Sequence, residues 1–211
     1  MGYEQLLYIT FGWLLGLLAP AVVERIRKGY RRSELMVAIK AELHELQYKM
    51  ALCSNKLNSH LATVTDGHLA WLDQIVRNYT GPNPTAGMLN SLAEYRKMPE
   101  EKRCQALAMI RNPNVGVGLL QYSIPFVTAH LADISLYQVP FQSAVIRIKD
   151  QLDMFNQRVA YLQKLHDRTF DASLTDLNRS AVISNLEKGY RDLADQSGFI
   201  ADAISTLPAA K

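Results

Sequence analysis

Hydrophobic and polar positions divide the chain into two unlike parts. From Leu6 to Val23 no residue carries a charge over 18 positions. As an α-helix that stretch would be about 27 Å long, close to the thickness of a bilayer's hydrocarbon core. After it the apolar residues become periodic. Met36, Ile39, Leu43, Leu46, Met50, Cys53 and Leu57 recur in steps of three and four, the stripe of a helix with one apolar face. Ser33 is placed to cap this helix, although the chain could also run into it directly from the first stretch, with Gly29 as the weak point. The stripe suits the core of a bundle or the seam of an intermolecular coiled coil.

Thr65-Asp66-Gly67 then interrupts the pattern, and a short helix with Leu69, Leu72, Ile75 and Val76 follows. Residues 80–84 read as a loop, and a modest helix leads to Lys97. Pro99, Glu100 and Glu101 start another helix that runs to about Ile110, because proline and acids both favour a first turn. Residues 111–118 form the second loop. Residues 119–137 read as a mostly apolar central helix kinked at Pro125. Gln121, His130 and Asp133 inside it argue against a second membrane span. Pro140 opens a long helix to about Asp167 with Val145, Ile148, Leu152, Phe155, Val159 and Leu162 on one face. The last helix carries Ile183, Leu186, Tyr190, Leu193, Ile200 and Ile204. Nothing alternates with period two. The expected class is therefore all-α, an N-terminal transmembrane helix followed by a cytoplasmic helical bundle, divided as 1–32 and 33–211.

Charge orients this arrangement. The formal net charge is +3. Residues 1–23 contribute −1, residues 24–32 contribute +4 and residues 33–211 contribute nothing. The surplus thus sits in Arg25, Arg27, Lys28, Arg31 and Arg32, directly after the apolar stretch. Positive charge on that flank places it in the cytoplasm and the N-terminus outside, in a bacterial inner membrane crossed once. A cleaved signal peptide would need a basic start, and the residues before Leu6 include no Lys or Arg. An electrically balanced 33–211 lacks the broad positive field of a protein that tracks DNA or long RNA. Inside the apolar stretch, Gly12 and Gly16 are one turn apart and would let a second helix approach closely, so a homo-oligomer is expected.

Motifs for chemistry are missing. No phosphate-binding or dinucleotide loop, zinc-protease helix or nucleophile elbow is present. His44, His60, His68, His130 and His166 are scattered, and Cys53 and Cys104 have no metal-ligand spacing. Neither enzyme activity, metal nor cofactor is expected. The candidate ligand-binding residues are polar loop positions: Arg77, Asn78 and Tyr79 before the first loop, and Arg111, Asn112 and Asn114 in the second. Arginine grips phosphate, asparagine reads base edges and tyrosine stacks on a purine. Gly116 and Gly118 would admit backbone N–H groups to an anion. Arg96, Lys97, Lys102 and Arg103 read as a solvated basic face.

With its short anchor 6–23, cationic stop 25–32 and compact helical domain 33–211, the chain resembles the membrane-bound accessory effectors of type III CRISPR systems. That resemblance lies in architecture and size over the full length, and no binding residue carries over by position. It implies an oligomer, cyclic tetra-adenylate as activating ligand, and membrane perturbation in antiviral defence. The alternative expectation is a non-enzymatic inner-membrane scaffold that docks a partner protein.

Overall fold

In a computed structural model, described over residues 2–111, 116–171 and 173–208 and without the side chains of residues 4–9 and 21, all regular structure among the described residues is helical. Helix α1 spans Tyr3–His60, α2 Asp66–Asn78, α3 Ala86–Lys97, α4 Glu100–Ile110, α5 Pro125–Ala129, α6 Val139–Arg168 and α7 Asp176–Ser205. A 3-10 turn, Leu131–Leu136, joins α5 to α6. The chain separates into two compact units, Met1–Lys40 and Ala41–Lys211. Their division falls inside α1, beyond the 32/33 boundary that charge suggested.

Helix α1 is the direct continuation of the apolar stretch. Pro20 lies in its interior and removes one intrahelical hydrogen bond without ending it. Ser33, expected as a cap, is also interior, because strong helix formers such as Glu34, Leu35 and Met36 carry the helix past it. In the first unit Phe11, Trp13, Leu14, Leu15, Leu17, Leu18, Val22 and Val23 are all more than half exposed. Among the described residues no helix is long and apolar enough to cross a membrane. The expected span at Leu6–Val23 falls partly outside them. The side chains of residues 6–9 and 21 are not described.

In the second unit the predicted stripes are the core. Leu43, Met50 and Leu57 of α1, Phe141, Val145, Phe155 and Val159 of α6, and Leu193 and Ile200 of α7 are completely buried. Helix α6 packs along α7, and α2 against α3. Thr65 caps α2, its hydroxyl accepting from the His68 N–H at 3.1 Å. Glu100 of α4 accepts from the Asp66 N–H at 2.8 Å. Pro99 and Pro140 start their helices as expected.

Residues 119–137 are not one central helix. Pro125 begins a single short helix instead of kinking a long one, since the residue before a proline is held out of helical geometry. Upstream, the backbone is satisfied by amides of α6. Asn156 accepts from the Tyr122 N–H at 3.0 Å and donates to the Tyr122 carbonyl at 2.7 Å, and Gln163 donates to the Leu119 carbonyl at 3.1 Å. The Glu42 carboxylate then accepts from the N–H groups of Phe126 and Val127 at 3.0 and 2.7 Å, a cap from another helix.

Arg103 belongs to the interior and not to the solvated face it was assigned. It is fully buried. Its guanidinium donates to the carbonyls of Val64, Tyr95 and Met98 at 3.0, 3.1 and 3.3 Å and pairs with Asp66 at 2.7 Å. One side chain thus satisfies the end of α3 and the entry to α2 together.

Candidate functional site

The polar loop residues resolve into two places. At the end of α2, Arg77 is ion-paired with Asp73 at 2.9 Å, and Asp73 also faces Arg96 at 3.4 Å. Tyr79 stacks on Tyr48, with ring centroids 4.1 Å apart and planes at 16°. Its hydroxyl donates to Glu45, which also takes the Asn83 amide at 2.9 Å and Lys49 at 3.2 Å. Burial works against ionisation of Glu45, but these donors together hold its carboxyl below the usual range. Tyr79 moves the other way, its hydroxyl pushed up by burial and by the bond to Glu45. The chain wraps tightly here, since a Cβ on Gly81 would stand 2.1 Å from the Tyr79 hydroxyl oxygen. Beside Tyr79 lies a groove of ≈ 360 Å³ that Asn78, Tyr48, Trp71 and Asp202 help to line. Trp71 donates its indole N–H to Asp202 at 2.6 Å.

The second place lies around Gly116. Arg111 follows α4 and pairs with Glu187 of α7. A cavity of ≈ 230 Å³ opens beside this pair. His60, the last residue of α1, and His166 near the end of α6 line it, as do Arg179 and Tyr190 of α7. An adjoining space of ≈ 590 Å³ shares His60, Arg111 and Gly116 and adds Lys56. The His166 ring lies against Gly116 so closely that a Cβ there would be 2.2 Å from its Nε2. Burial lowers the His60 basicity, Arg111 lowers it further and Glu187 opposes them. Three buried nitrogens of this lining, Arg111 Nε, Arg179 Nε and His166 Nε2, have no hydrogen-bond partner. Leaving such a group unpaired costs about 1–3 kcal/mol.

The two places are not one site. His44 lines the groove and His60 the cavity, and the rise between them along α1 is about 24 Å. Arg77, Asn78 and Tyr79 therefore do not meet Arg111. Asn112 and Asn114 lie outside the described residues. Gly12 and Gly16 make no close contact within the chain, since a Cβ at either would meet nothing within 4 Å. Among the described residues no three His, Cys, Asp or Glu side chains are grouped to hold a metal ion. His60, His166, Arg179 and Glu187 escape sequence reasoning because they come from three different helices. No linear spacing joins them.

The fold class is thus an all-helical unit following an exposed apolar helix. No protein-family model, curated protein or solved structure matches the chain.

Proposed function

We propose that the chain is a membrane-tethered, non-enzymatic signal-gated effector. Leu6–Val23 would cross the inner membrane with its N-terminus outside, and the unit Ala41–Lys211 would act as a cytoplasmic sensor. The carrying observation is the bare circumference of the N-terminal helix. Phe11, Trp13, Leu14, Leu15, Leu17, Leu18, Val22 and Val23 are distributed around the whole helix at about 100° per residue, and each is more than half exposed. A helix that is apolar on one side needs a protein neighbour, whereas one that is apolar all round needs lipid or full enclosure. The bare faces of Gly12 and Gly16 suit a second copy of the same helix.

The activating ligand in this reading is a cyclic oligoadenylate, the class that the architectural resemblance implies. Arg111 would supply phosphate contacts. It shares a cavity with His60, the last residue of α1, so a ligand bound there touches the same helix that carries the apolar stretch. Calorimetry of the full chain in detergent with cyclic tetra-adenylate tests this. Heat of binding is expected, and none at high micromolar ligand ends the oligoadenylate reading. A reporter fused to the C-terminus should be active only in the cytoplasm, and periplasmic activity overturns the topology. Replacing Gly12 and Gly16 by Ile should change the oligomer mass in detergent.

A second reading, a scaffold that docks a partner protein, is favoured by Met109 and Ile110, 83% and 77% exposed at the end of α4. Affinity purification from membranes separates the two. A stoichiometric partner of different sequence selects the scaffold.

A further inference from the structure

We infer that the cavity at the C-terminal end of α1 is a site for a phosphate group, and that Glu187 is its built-in competitor. This rests on the sensor reading above and names the group that the sensor grips.

Two guanidinium groups line the cavity, and each keeps one buried edge unused. Arg111 gives an Nη to Glu187 but leaves Nε without an acceptor. Arg179 gives an Nη to the Asp171 carbonyl at 3.4 Å and likewise leaves Nε bare. The Asp171 carboxylate is turned to Ser173, accepting from its hydroxyl at 2.6 Å and its N–H at 2.9 Å. Guanidinium groups are built to donate in pairs to an oxyanion, so two half-used forks in one cavity mark a missing acceptor. The lining holds two guanidiniums against the single carboxylate of Glu187. An anion is therefore the guest that balances it.

The chemistry selects phosphate over carboxylate. The lining brings together Arg111, Arg179 and His166, whose buried, unpartnered Nε2 is a third donor when it carries the ring proton. Three sources of N–H suit the three terminal oxygens of a phosphate ester better than the two of a carboxylate. Leu186 and Tyr190 are buried and provide an apolar floor for the group that the phosphate carries. At ≈ 230 Å³ the cavity is below the usual range for an enclosed drug-sized ligand, about 300–1,000 Å³. It encloses one phosphate and a small body, and a cyclic tetranucleotide could insert only one of its phosphates.

Glu187 already occupies one fork of Arg111. A phosphate that enters must share or displace it. Removing the Glu187 charge should then strengthen binding, the opposite of what loss of a merely structural ion pair would do.

The test is calorimetry of the full chain in detergent at fixed ionic strength, with inorganic phosphate, adenosine monophosphate, cyclic tetra-adenylate and acetate as probes. Adenosine monophosphate is expected to bind and acetate not. Affinity should fall about tenfold or more in Arg179→Gln and Arg111→Gln, and rise several-fold in Glu187→Gln. Arg179 lies near the start of α7, where its guanidinium bonds the Asp171 carbonyl and its charge acts on the exposed Asp171 carboxylate, so its variant should stay folded, checked by thermal unfolding. No binding of any phosphate overturns the inference, as does unchanged affinity in Arg179→Gln or weakened affinity in Glu187→Gln. Binding of cyclic tetra-adenylate without either small phosphate overturns the inference and leaves the sensor reading standing. The reverse pattern supports the inference and removes the oligoadenylate.

Discussion

Helix α1 puts its apolar side chains in opposite places along its length, bare from Phe11 to Val23 and buried at Leu35, Ile39 and the stripe that follows. In Ala41–Lys211 the residues Leu43, Leu46, Met50 and Leu57 of α1 are buried, while His44 and Lys49 between them are exposed. From Phe11 to Val23 the same helix has no polar face to offer, and its apolar side chains are largely bare. One backbone geometry thus carries two side-chain patterns. Side-chain distribution around the helix, and not helicity, tells the two parts apart.

The strongest way to break this comparison is to place charge on the bare helix. Leu14→Arg with Leu18→Arg is expected to disfavour membrane insertion by roughly 5–7 kcal/mol, at about 2.5–3.5 kcal/mol for each arginine near a helix centre. The double variant should leave the alkaline-washed membrane fraction, and the thermal unfolding of the second unit should not move. If it stays with the membranes, lipid is not what covers these residues. The same substitution style in the second unit would instead unfold it, because there the apolar side chains are the core.

Arg103 offers the converse test, a charge inside the second unit. Arg103→Met fills similar volume but abandons three carbonyls and one aspartate. A loss of about 3 kcal/mol in stability to denaturant is expected, the cost of stripping buried acceptors of their donor. Membrane association should be unchanged. A neutral result would mean that water replaces the guanidinium, and that the α2–α3–α4 corner does not depend on it.

Arg103 also shows where sequence reading stops. The stripes of α1, α6 and α7 were legible because each is a property of one helix, and so were the starts at Pro99 and Pro140. Arg103 was read as surface because its neighbours Arg96, Lys97 and Lys102 are charged. Only the arrival of Val64 and Asp66 from another segment makes it interior. Residues 119–124 were read as helical because they are apolar. Their extended path is dictated by Asn156 and Gln163, which lie far along the chain. Of the candidate site, Arg111 and Gly116 were visible as loop chemistry, whereas Arg179 and His166 became members only through the convergence of α6 and α7.

A smaller effect sharpens the contrast through pH. Burial leads the depression of both His60 and His68 below the ordinary imidazole value of 6.5. A depressed folded value means that the unfolded chain binds protons first. Stability is then complete above about pH 6.5 and is lost as pH falls below it. Glu45, Asp73 and Asp171 are depressed from ordinary values of 4.5, 3.8 and 3.8, so their losses begin at lower pH. The unfolding midpoint of the second unit should fall between pH 7 and 5.5. His60→Gln with His68→Gln should flatten that fall. The first unit has no histidine, and its membrane association should ignore this range.

The smallest expected effect concerns how α1 stops. Thr63 N–H donates to the Asn58 carbonyl at 2.9 Å and Ala62 N–H to the Ser59 carbonyl at 3.2 Å. This is the closing pattern in which glycine usually takes the left-handed position. Here Ala62 takes it, with φ 56°, so the end of the helix gave no glycine signal and the break was placed at Thr65. An alanine in that geometry is strained by its Cβ. Ala62→Gly should therefore stabilise the second unit by roughly 0.5–1 kcal/mol, partly offset by glycine's greater freedom in the unfolded chain. Denaturant titration would detect a shift of that size. Because His60 lies two residues before this position, the variant should also hold the cavity lining more firmly and leave phosphate affinity equal or greater. A loss of stability would show that the Ala62 methyl is held by packing that outweighs its strain, and the helix end would then be set by tertiary contact instead of by its own backbone.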